Sequence, residues 1–94
     1  MLKIEQSHIG GKTVIQLAGH ARSEHIGIIA NALESARPPI AMDLTELLVI
    51  DIDVARFLAN CERRKGIELL HCAMYIRLWI TLESTDAIDR ESAA

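Results

Sequence analysis

Two aliphatic stripes restrict what this chain can fold into. Ile26, Ile29, Ala30 and Leu33 fall at i, i+3, i+4 and i+7, and Val54, Phe57, Leu58 and Cys61 repeat that spacing. This is the pattern of a helix with one apolar face. Arg56, Asn60, Arg63 and Arg64 fall on the other side of the second stripe. Both helices have a stop. Pro38-Pro39 cannot donate the backbone bond that the first would need to continue. Gly66 offers the second a left-handed exit after Lys65. Short apolar runs follow the stops: Ile40 to Leu44, then Leu47 to Ile50, and later Ile67 to His71. Helices alternating with short apolar strands imply crossover connections and parallel neighbours.

The flanks extend the pattern. Leu2 and Ile4 alternate with Lys3 and Glu5, Gly10-Gly11 supplies a hairpin turn, and Thr13 to Leu17 forms a second strand that stops at Gly19. Ser23 is placed to cap the first helix, with Glu24 in its first turn. The last helix is predicted from about Ala73 to Leu82, and the polar residues from Ser84 to Ala94 read as a flexible C-terminal tail. The predicted order is β-β-α-β-α-β-α. The expected fold class is α/β: a small mixed, mostly parallel sheet of about four strands with an N-terminal β-hairpin and helices mainly on one face. One domain, 1–83, accounts for the chain ahead of the tail.

Composition removes several function classes. Half of the 94 residues are hydrophobic, but Phe57, Tyr75 and Trp79 are the only aromatics, so the core is aliphatic. Charged residues make up 24%, an ordinary value for a folded soluble domain. The net charge of −3 argues against nucleic acid as a main partner. Arg63-Arg64-Lys65 reads instead as the solvated end of a helix, where positive charge is favoured. No apolar run approaches the ~20 residues of a membrane span, and the N-terminus does not read as a secretion signal. Cys61 and Cys72 lack a CxxC spacing and read as two buried free thiols. A cytoplasmic location is therefore expected.

With these elements placed, the chain resembles a STAS domain, the module shared by bacterial anti-sigma factor antagonists and the tails of sulfate transporters. The resemblance covers roughly Leu2 to Glu83. It rests on Ile15 to Gly19, Met42 to Leu44, Leu48 to Asp51, the helix Val54 to Cys61, and Glu68 to Cys72 followed by Ile76, Trp79 and Ile80. Each piece is short; their order and spacing carry the likeness. The departures concern regulation. Where the family typically reads Asp-Ser-Ser-Gly or Asp-Ser/Thr-x-Gly, this chain has Asp51-Ile52-Asp53-Val54. Ile52 stands where the family carries the hydroxyl that a partner kinase phosphorylates, and a side chain without a hydroxyl cannot accept a phosphoryl group there. Arg22 reverses the charge of an acidic residue that the family often carries.

Few residues suggest chemistry. Asp51 and Asp53 form a pair of carboxylates, but acid–base or metal work needs partners held by other elements. The simpler reading has one capping the second helix and the other in its first turn. Asp53 as a fixed imitation of a phosphate is a third reading, limited by one charge against the ~1.5–2 of a phosphate. His8, His20, His25 and His71 show no metal spacing. Ser23 and Thr45 have no evident His–acid companion for nucleophilic catalysis. No catalytic residue, metal or cofactor is therefore expected.

The resemblance implies a non-enzymatic protein–protein interaction module acting in bacterial transcription regulation. Without the hydroxyl, its binding would be constitutive or differently regulated. Its expected partner-binding residues are Arg22, Ser23, Asp51, Ile52, Asp53 and Arg56, facing an anti-sigma factor or kinase-like regulator. The alternative is an accessory STAS subunit of an ABC-type membrane transport complex, docking on the transporter ATPase without membrane insertion. The last helix adds a separate expectation. Its apolar positions cover an arc of roughly 200°, about twice what one sheet face needs. The surplus is either buried by the first helix or the tail, or exposed for partner docking or a homodimer through Tyr75, Leu78, Trp79 and Leu82.

Overall fold

The structure, a computed structural model, describes the backbone of residues 1–93 and the side chains of residues 1–83. Its elements are β1 (Leu2–Ile9), β2 (Lys12–Ala21), a 3-10 turn (Ser23–His25), α1 (Ile26–Ser35), β3 (Ile40–Asp43), β4 (Leu47–Ile50), α2 (Ile52–Lys65), β5 (Glu68–Leu70) and α3 (Met74–Ala93). They form a small α/β fold with three α-helices and a mixed sheet of five strands.

The hairpin forms as the sequence predicts. Gly10 and Gly11 have φ of 58° and 80°, the double positive φ of a tight turn whose twist matches its strands. Ladder pairs then run from Ile9–Lys12 to Leu2–Gly19. This antiparallel ladder is longer than any parallel one, so the sheet is mixed and not mostly parallel as expected. On its other edge β2 pairs with β3 along Thr13–Gln16 and with β4 from Gly19 to Ala21, both parallel. β5 adds to the far side of β3, also parallel. β3 and β4 thus lie end to end along one edge of β2. The kink between them is made by Asp43, whose Oδ1 accepts from the Thr45 amide (2.9 Å) and hydroxyl (2.6 Å).

Four local expectations change. β2 does not stop at Gly19; that residue, at φ 101°, carries a register shift and the strand continues to Ala21. There the His20 amide donates to the Met1 carbonyl and the Gly19 amide to Glu46, each at 3.0 Å. Ser23 does not cap α1 through its side chain. The chain tightens into a 3-10 turn instead, and α1 begins after His25. β5 is shorter than Ile67 to His71, because Ile67 still bonds back to Cys61 in the α2 exit and His71 turns left-handed at φ 54°. The backbone of α3 continues past Leu82 to Ala93. The expected flexible tail lies outside the residues whose side chains are described.

The core is aliphatic. Ile15, Leu17, Met42 and Leu69 of the sheet pack with Ile29 and Leu33 of α1, Val54, Leu58 and Cys61 of α2, and Ile76 and Ile80 of α3. Both predicted stripes supply buried residues. α3 is held on α2 by a bidentate pair in which Arg77 donates two bonds of 2.9 Å to Glu62. Cys61 and Cys72 are free; Cys61 is buried as expected, while Cys72 is only partly so, on the connection into α3.

Candidate partner-binding site

Asp51 organises the site. One carboxylate oxygen accepts from the Val54 amide at 3.0 Å, capping α2 three residues on. The other accepts from the Ser23 amide at 2.7 Å, at the entry to the 3-10 turn. A single side chain therefore fixes the β2–α1 connection against the start of α2. This brings Ser23 to Asp51 at the start of α2. Asp51 loses hydration by partial burial, which raises its pKa. Hydrogen bonds from Val54, Ser23 and Asp53 outweigh that loss and hold it below the usual carboxylate value of 3.8. It serves as a structural anion.

Around this anchor the other expected residues are surface groups. Arg22 is exposed, and its amide donates to His25 Nδ1 at 3.0 Å. Ile52, the first residue of α2, is 50% exposed. Asp53 stands in the first turn of α2, where negative charge meets the positive end of the helix. The pair Asp51 and Asp53 thus takes the capping and first-turn roles of the simpler reading. Val54, by contrast, is fully buried and belongs to the core.

Arg56 is more committed than its sequence position suggests. Its guanidinium bonds to Glu83 of α3 and lies 3.9 Å from Asp53. Glu83 is a site residue that sequence reasoning missed. Nothing in the spacing of α2 or α3 links the two positions, which meet only because α3 packs along α2.

The last helix exposes part of its apolar arc, while the tail, one of the segments expected to cover it, lies outside the residues whose side chains are described. Ile76 and Ile80 are fully buried, whereas Tyr75, Leu78, Trp79 and Leu82 are exposed. Neither α1 nor any other described segment covers them. This face is continuous with the Asp51 site, because Ile52, Trp79, Leu82 and Glu83 line one cleft of about 260 Å³. Two residue groups that the sequence separates are therefore one surface.

Among the described residues no group of three or more His, Cys, Asp or Glu side chains is placed to hold a metal ion. Burial pushes the Cys61 thiol up to about 11 and also raises Cys72; neither is poised as a thiolate nucleophile. No described helix is long and apolar enough to cross a membrane. No protein-family model matches the chain, and no curated protein matches it.

Proposed function

We propose that the protein is a STAS-like, non-enzymatic docking module whose contact surface is the start of α2 with the adjoining β2–α1 connection. The observation that carries this reading is the half-exposed Ile52 at the first position of α2. It stands between a carboxylate committed to structure (Asp51) and one turned to solvent (Asp53). An exposed aliphatic side chain beside a cleft, rimmed by charged groups, suits recognition of an apolar side chain on a protein partner. The same position carries no hydroxyl, so its binding is constitutive or controlled by something other than phosphorylation at Ile52. The resemblance points to an anti-sigma factor or kinase-like regulator as the partner, acting in the cytoplasm. A transporter ATPase is the alternative.

The test is quantitative recovery of a defined partner from the native host, followed by its affinity for variants. Ile52→Asp keeps the helix start, where an acidic residue is tolerated, and should weaken the complex by about tenfold or more. Arg56→Glu should also weaken it, but it sets a carboxylate against Glu83, so its folding must be measured alongside. Unchanged affinity in both variants removes this surface from consideration. Recovery of a sigma-factor regulator favours the first partner class and recovery of an ATPase the second.

A further inference from the structure

Between Met74 and Leu82, α3 is apolar on two faces. Ile76 and Ile80 enter the core, while Leu78, Leu82, Tyr75 and Trp79 are 57%, 55%, 52% and 43% exposed. At 100° per residue these four fall within one outward arc. The only charged residue of this stretch, Arg77, turns to Glu62 on α2 at 2.9 Å. The outward face is therefore uncharged. An apolar helix face is normally covered.

The relief of this face says what could cover it. Toward the C-terminal side lies the cleft of Ile52, Trp79, Leu82 and Glu83. One turn of helix toward the N-terminal side, about 5 Å along the axis, Tyr75 and Leu78 stand more than half exposed on the same arc. We propose that the face is occupied by a second copy of this chain, α3 against α3 in antiparallel sense, with Leu78 of each copy seated in the other's cleft. A two-fold pair needs one surface that carries both halves of the contact, and this one does. Between Met74 and Leu82 the arc carries no charged residue, so two copies of this stretch meet without like charges facing. Antiparallel helix dipoles also favour the arrangement. Ile52, Tyr75, Leu78, Trp79 and Leu82 are each about half exposed, which for side chains of this size makes a patch on the order of the ~300–600 Å² that is the largest on an ordinary monomer. Asp53 and Arg56, each about half exposed, extend this face toward the ~800 Å² per partner of a standard interface.

The dimer covers Ile52. On the docking reading of Ile52 given above, self-association and partner binding then exclude one another. Concentration and partner supply would control a surface that lacks the hydroxyl switch.

Sedimentation equilibrium on the purified chain tests the dimer without any partner. A monomer–dimer equilibrium is expected. Leu78→Glu, at an exposed position that leaves the core intact, should weaken it by at least ~30-fold. Ile28→Glu, an equally exposed apolar site on α1, should leave it unchanged. In an NMR dilution series of the wild type, the Ile52 amide and the Trp79 indole should shift together. A monomer up to millimolar concentration overturns the proposal, as does a dimer indifferent to Leu78→Glu or one whose Ile52 signal does not move on dilution. With a recovered partner, raising the chain into its dimer range should lower partner binding, and a complex in which the intact dimer holds the partner overturns the mutual exclusion. A partner affinity insensitive to Ile52→Asp, with the dimer intact, removes only the docking reading.

Discussion

Asp51 and Gly19 each do work that can be assigned to a single residue. Asp51 receives amides from two segments that are far apart in sequence, Val54 at 3.0 Å and Ser23 at 2.7 Å. Asp51→Ala should therefore cost about 1–2 kcal/mol in urea unfolding, the loss of a good cap and a second bond. Hydrogen exchange should accelerate at Val54 and at Ser23 together. Acceleration at Val54 alone would mean that the bond to Ser23 contributes nothing. Gly19 has φ 101°, and a Cβ there would run into the Met1 carbonyl oxygen. Gly19→Ala should destabilise by more than about 1 kcal/mol. Gly10→Ala, strained in φ but with open space around it, should cost less. Equal losses in the two variants would show that the close approach to Met1 is unimportant.

At the level of elements, α3 separates burial from hydrophobicity. Ile80 and Leu82 are both aliphatic and two residues apart, but one is fully buried and the other 55% exposed. Ile80→Ala should cost about 2–5 kcal/mol, as core truncations do, while Leu82→Ala at monomer concentrations should stay within about 0.5 kcal/mol. Denaturant titrations of both variants check this, and similar costs would contradict the packing of α3 on α2. The helical arc was legible in the sequence, including its excess over what one sheet face needs. Which part of the arc faces inward was not, because that depends on how α3 lies along α2. The same packing produced the Arg56–Glu83 pair, which no local spacing announced.

For the whole molecule, three carboxylates tie distant segments or shape turns, and their ionisation links stability to pH. Asp43 is lowered by the Thr45 hydroxyl hydrogen bond, although burial opposes it. Asp51 is raised by burial but lowered on balance by the amides around it. Glu62 is lowered by its hydrogen bonds from Arg77. A carboxylate whose folded pKa lies below its unfolded value contributes stability that is complete above the unfolded value. That stability is lost as pH falls through the lower folded value. Urea midpoints should hold steady from neutrality down to the ordinary values of 3.8 and 4.5 for Asp and Glu, then fall below them. Asp51→Asn should flatten that fall, and an identical slope in the variant would show that Asp51 is not among the linked groups.

The sequence by itself determined the succession of elements except at one point: its order has four strands, and Leu47–Ile50 is a separate fifth strand only in the structure. Stripes of period 3.6 and the stops at Pro38-Pro39 and Gly66 are local, so periodicity and backbone chemistry write them directly into the chain. It also determined that position 52 cannot be phosphorylated, since side-chain chemistry needs no fold. The balance of the sheet, the continuation of β2 through Gly19 and the end-to-end placement of β3 and β4 were decided by pairing between distant segments. So was the site. Asp51 was legible as a cap, but its hold on Ser23 and the union of Ile52 with Trp79 and Leu82 required α1, α2 and α3 to be packed on one core. The start of the second stripe, first recognisable as a helix cap with a missing hydroxyl, becomes one edge of a continuous apolar surface only in three dimensions.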